Sequence, residues 1–125
     1  MTRSNSSDRV AGIHRIALQM PDLVEAVHFY SDTWKLRPVG KVGGYDAFRT
    51  VDCAHDNFVL KQGPSQIAHL AFAVASVEEL DGFAARLTEA GFRVSVPADS
   101  LLPSDAAAIA VTDPDGREAR LVVPA

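Results

Sequence analysis

Two periods of apolar spacing alternate along the chain, and the switches between them mark its elements. In HRIALQM (14–20), Ile16, Leu18 and Met20 recur at every second position, as in a strand buried on one face. From Leu23 the spacing becomes helical. Leu23, Val27, Tyr30 and Trp34 then share a core-facing side, with Glu25, His28, Asp32 and Lys35 on the other. The pattern recurs 54 residues later, where HLAFAVASVEELDGF (69–83) aligns without a gap on RIALQMPDLVEAVHF (15–29). Asp22 with Glu25, and Ser76 with Glu79, place a capping box at the same point of both copies. A shared cap and a shared apolar phase indicate an internal duplication.

Short alternating runs follow each helix and predict strands. The first set is LRPVGKV, YDAFRTV and NFVLKQ; the second is FRVSVP, AAAIAVT and EARLVV, with a loop near 98–105 and a DPDG hairpin turn at 113–116. Each half therefore reads β-α-β-β-β. The expected organisation is a polar, disordered tail over 1–12, a first module over 13–62, a linker over 63–66 and a second module over 67–125, all in one domain. The eighth strand closes the second module, so no separate catalytic half is expected to follow it.

The apolar phase also assigns the opposite faces. Ile16, Leu18 and Met20 pack under the first helix, which turns Arg15, Ala17 and Gln19 the other way and keeps His14 with Ile16. Leu70, Phe72 and Val74 likewise leave His69, Ala71 and Ala73 opposite. Phe58 and Leu60 leave Val59, and Ala119, Leu121 and Val123 leave Glu118, Arg120 and Val122. The faces turned from the helices line a concave sheet, on which Arg15, Val59, His69 and Arg120 are equivalent by repeat and phase.

The strand-to-helix segment IALQMPDLVEAVHFY, the opener HLAFAV with EELDGFAARLTEAGF, and the closing TDPDGREARLV form an ordered set. That set resembles the vicinal oxygen chelate superfamily of glyoxalases, bleomycin-resistance proteins and extradiol dioxygenases. HDNFVL and HLAFAV are most similar to the amino-terminal domain of catechol 2,3-dioxygenase-type enzymes, which does not bind the iron. The resemblance implies an α+β fold of two tandem βαβββ modules in a curved mixed sheet with a concave cup, and a homodimer. It also implies a metal face with a first-strand histidine, a fifth-strand histidine and a last-strand glutamate, suited to Fe(II) or Mn(II). Those positions are Arg15, His69 and Arg120 here. An arginine has no lone pair to donate, so only His69 retains a ligand, and no cofactor is expected. The expected function is binding of a small molecule, anionic or aromatic, at Arg15, His69, Arg120, Glu118 and Val59, or service as an accessory domain. The alternatives are metal-dependent ring cleavage by an extradiol-type dioxygenase, or a related lyase or isomerase activity.

Other residues add little chemistry. His14 and His55 with Asp52 or Asp56 would make an unorthodox metal site, which the phase of His14 disfavours. His28 belongs to the polar helix stripe. Cys53 is the single cysteine, which rules out an internal disulfide and a multi-cysteine zinc site. The 125 residues carry a net charge of −4 with scattered basic positions, so no nucleic-acid footprint exists. The apolar runs are strand-length, and no secretory apolar region follows Met1, so neither a membrane span nor export is expected and a cytoplasmic location is the simplest.

Overall fold

The computed structural model describes residues 9–97 and 102–125; the tail over 1–8 and positions 98–101 of the predicted loop lie outside the described residues. Strand β1 (Gly12–Met20) runs into α1 (Leu23–His28), where Asp22 Oδ1 accepts the Glu25 N–H at 3.1 Å. Strand β5 (Gln66–Ala73) runs into α2 (Val77–Glu89), where Ser76 Oγ accepts the Glu79 N–H at 3.2 Å. Each cap satisfies a donor that the helix itself leaves orphaned, which fixes where the helix begins. Strands β2 (Arg37–Val42), β3 (Tyr45–Arg49) and β4 (Phe58–Gln62) follow α1. Strands β6 (Val94–Ser95), β7 (Asp105–Thr112) and β8 (Glu118–Pro124) follow α2.

All eight strands form one curved mixed sheet in the order β2-β3-β4-β1-β5-β8-β7-β6. The halves join within the chain through antiparallel β1 and β5, giving the α+β architecture of two tandem βαβββ modules. Register makes the duplication geometric. Ile16 pairs with Leu70, its own counterpart in the repeat, and Ala17 pairs with His69 while Arg15 pairs with Ala71. Ala17 also pairs with Val59 as Ala71 pairs with Arg120. Arg15 and His69 are thus equivalent, and so are Val59 and Arg120.

The predicted faces separate into distinct clusters. Under α1, Leu60, Phe48 and Ala26 pack with Leu18, Met20 and Val27. Under α2, Val74, Leu80 and Ile109 pack with Phe83, Leu121 and Val123. On the concave side, Ala17, Tyr45, Ala47, Val59 and Leu102 form one cluster, and Ala71, Ala108 and Val122 a smaller one.

The first helix departs from the expected phase. After His28 it widens into a π-helical turn over Phe29–Thr33, closed by the Trp34 N–H on the Phe29 carbonyl at 3.2 Å. Ser31 Oγ donates to the Val27 carbonyl at 2.7 Å, offering that acceptor a side-chain partner. Closure over five residues breaks the 3.6-residue periodicity. Tyr30 still packs on Phe58, with ring centroids 4.7 Å apart, but Trp34 swings out to 61% exposure instead of joining the core. The sixth strand is also shorter than FRVSVP suggests, at two residues.

Candidate functional site

The site grows from a β-bulge in β1. Pairing with β5 shifts between Ile13 and Arg15, so His14 is the extra residue and strict alternation fails there. His14 and Arg15 therefore both reach one carboxylate, Asp105, at the start of β7. This corrects the expectation that His14 stays apart from the site of Arg15. Arg15 grips Asp105 as a fork, Nη1 to Oδ1 at 2.8 Å and Nη2 to Oδ2 at 3.1 Å, and both side chains are wholly buried. His14 Nε2 lies 3.0 Å from Oδ1, and the Leu102 N–H donates to Oδ2 at 3.2 Å. Burial alone would raise the Asp105 pKa, but the hydrogen bonds from His14 and Arg15, the Arg15 charge and the Leu102 N–H hold it well below the usual carboxylate range. Ionised, Asp105 only accepts, so His14 Nε2 carries the shared proton.

The remaining Arg15 donor fixes His69. Arg15 Nε donates to His69 Nε2 at 3.1 Å, which commits that lone pair and places the neutral ring's proton on Nδ1. Burial, then the positive charges of Arg120 and Arg15, lower the His69 pKa to about 3. The ring is neutral throughout the physiological range. Tyr45 stands edge-on to it at 6.2 Å.

The second half of the cup differs. Arg120 Nε donates to Glu118 Oε2 at 2.6 Å, and both residues border a groove of about 290 Å³ with Arg93, Ser95, Pro97 and Thr112. A larger depression of about 600 Å³ lies along α1, between Asp22, Phe29 and Asp32, and holds none of the predicted residues. The groove is where the charged groups of the sheet face open space. Arg15 and His69 thus meet directly, Val59 lies in the apolar floor beside Ala17, and Arg120 with Glu118 opens to the groove.

Residues 12–121 match the Glyoxalase/Bleomycin resistance protein/Dioxygenase superfamily. The chain belongs to that superfamily. Among curated proteins no relative matches. Among solved structures, homoprotocatechuate 2,3-dioxygenase from Brevibacterium fuscum, in complex with 3,4-dihydroxyphenylacetate, is similar over 92% of this chain and 37% of its own, with 25% identity and a TM-score of 0.82. The enzyme from Arthrobacter globiformis gives a TM-score of 0.83 at 23% identity, over 94% of this chain and 37% of its own. The chain thus spans about a third of the length of these dioxygenases.

At Arg15, His69 and Arg120, where the sequence resemblance would put a metal face, the donors present do not fit a divalent cation. Arg15 and Arg120 offer only N–H groups, and the one imidazole lone pair is taken by Arg15 Nε. The unorthodox set does not assemble either. His14 stacks on His55 at 4.3 Å but gives its Nε2 to Asp105, while Asp56 pairs with Arg49 at 3.4 Å. His55 Nε2 donates to the His14 carbonyl at 2.7 Å, and Cys53 Sγ sits 3.4 Å from Nδ1 of the same ring. Among the described residues, no group of three or more His, Cys, Asp or Glu side chains is arranged to hold a metal. His28 is solvent-facing beside Asp32. Among the described residues, no helix is long and apolar enough to cross a membrane.

Asp105 is the residue that sequence reasoning missed. Its signal was present in the chain: DAAAIAVT opens an apolar strand with a carboxylate, and a carboxylate entering a core must find a cation.

Proposed function

We propose that the protein is a metal-independent small-molecule binder of the superfamily, taking an anionic aromatic ligand in the open half of the cup against Arg120. The carrying observation is the hydrogen bond from Arg15 Nε to His69 Nε2, in which a permanent cation engages the lone pair of the one histidine that the resemblance would make a ligand. An arginine fork matches a planar carboxylate, and Arg120 borders a groove large enough for a single ring. The bound molecule of the Brevibacterium enzyme, 3,4-dihydroxyphenylacetate, has this character and supports the ligand class. Glu118 holds Arg120 from one side and orients its guanidinium across the groove.

Two measurements test the proposal. Purified protein should contain far less than one Fe, Mn, Zn or Ni per chain; one tightly held ion lost on His69→Ala would overturn it. Titration with 3,4-dihydroxyphenylacetate should show saturable binding that Arg120→Ala weakens by about tenfold or more, the size of one charge-assisted hydrogen bond. Unchanged affinity would remove Arg120 from the site. Yellow ring-fission product from catechol and Fe(II) in air would favour the dioxygenase alternative instead.

A further inference from the structure

Leu102 and Asp105 together have the form of a bound ligand. Four donors converge on the Asp105 carboxylate: the two Nη groups of Arg15, His14 Nε2 and the Leu102 N–H. Beside it, the Leu102 isobutyl group is 2% exposed and fills a hollow formed by Ala17, Tyr45, Ala47 and Val59. The fit is tight, since a Cβ added at Gly43 would stand 2.5 Å from Leu102 Cδ2. Both groups come from one turn, closed by the Asp105 N–H on the Leu102 carbonyl at 2.8 Å. The three donors outside the turn, from Arg15 and His14, suit a carboxylate, and the hollow suits a branched apolar group.

We propose that this half of the cup is a binding site for small apolar monocarboxylates, occupied in the free protein by the chain's own 102–105 turn as a tethered competitor. A ligand enters by taking the Arg15 fork and the His14 proton from Asp105 and the hollow from Leu102. The inference rests on the reading of the cup as a metal-free binding site, and it names a ligand class and an internal control for the Arg15 side. A tethered group competes at an effective concentration on the order of millimolar or above, so a free carboxylate binds the intact protein weakly. Loosening the turn should strengthen it.

The probes are 4-methylpentanoate and its neutral analogue 4-methylpentan-1-ol, titrated by NMR into the full chain and its Asp105→Asn and Leu102→Ala variants. Asp105→Asn leaves Arg15 uncompensated and should raise the preference for carboxylate over alcohol at least tenfold. Leu102→Ala vacates the hollow and keeps the ionic clasp, so it decides the matter should Asp105→Asn fail to fold. In that variant the carboxylate should bind at least tenfold tighter than in wild type, beat the alcohol, and shift the His14 ring resonances as Asp105 is displaced. Equal affinities for the two probes, or no gain over wild type, would overturn the proposal. Should the Arg120→Ala effect on 3,4-dihydroxyphenylacetate persist beside that result, only the tethered-competitor inference falls. Should that effect vanish while the carboxylate gain remains, the open groove is the part that fails.

Discussion

The two halves of the cup carry the same ion pair in two surroundings. The side chains of Arg15 and Asp105 are both 0% exposed, joined by a fork and supported by two further donors. Arg120 is 7% exposed and its partner Glu118 40%, joined through one Nε. In the first half both charged side chains are out of water, so each relies on the other for the solvation that burial removes. In the second, water shares in solvating the carboxylate, and the pair borders an open groove. The same chemistry locks one half and leaves the other adaptable.

Removing one carboxylate at a time separates the two halves most strongly. Asp105→Ala strands a buried guanidinium and orphans His14 Nε2 and the Leu102 N–H, so it should cost about 3–5 kcal/mol in urea unfolding. A loss below about 1 kcal/mol would mean that Arg15 is solvated by other means. The next largest effect lies where the locked half is tightest. Gly43 has φ +57° and meets Leu102 Cδ2, so Gly43→Ala combines a left-handed backbone cost with a clash. In a Leu102→Ala background the clash disappears, leaving roughly 1–2 kcal/mol of backbone strain. The double-mutant cycle should therefore show a coupling of at least about 1 kcal/mol between positions 43 and 102. Strict additivity would place Leu102 elsewhere.

Much of this arrangement is legible in the chain, and the failures share a cause. The duplication, both caps and the separation of Leu18, Leu60 and Leu121 from Val59 and Val122 follow from periodicity, because a buried sheet face fixes register. Periodicity failed at His14 and at Trp34, where one extra residue in a strand and a five-residue helical closure each shift the phase. Neither irregularity has a strong local signal, since both arise from what the neighbouring strand or side chain offers. The site was half legible. Phase and repeat brought Arg15, His69 and Arg120 to one face, but the acid that neutralises Arg15 comes from a strand 90 positions on, and only the fold brings it there.

Acid titration sharpens the contrast with a smaller effect. Burial and two neighbouring cations depress the folded-state pKa of His69 to about 3, against 6.5 for the free side chain. Below pH 6.5 the unfolded chain gains a proton that the folded ring refuses. The stability this ring contributes is complete above that pH and declines as pH falls towards 3, by at most about 1.4 kcal/mol per unit. Asp105 is depressed from 3.8, so its contribution persists above 3.8 and fades only in stronger acid. Between pH 6.5 and 4 His69 therefore adds to the slope while the Arg15–Asp105 clasp does not. His69→Gln keeps an acceptor for Arg15 Nε and should flatten that slope in urea unfolding followed across pH; an unchanged slope would assign the proton elsewhere.

The smallest effect belongs to the open half. Glu118→Gln removes a charge from a carboxylate that water already reaches, while the amide oxygen can still accept from Arg120 Nε. The stability change should stay within about 1 kcal/mol, against the several expected at Asp105. Its consequence should instead fall on binding, because Glu118 and an incoming carboxylate compete for the same guanidinium. Relieving that competition should strengthen 3,4-dihydroxyphenylacetate binding in a calorimetric titration, and high salt should erode the gain, since the groove is open to screening ions. A variant as destabilised as Asp105→Ala would show that Arg120 depends on its partner as Arg15 does, and that both halves of the cup are locked.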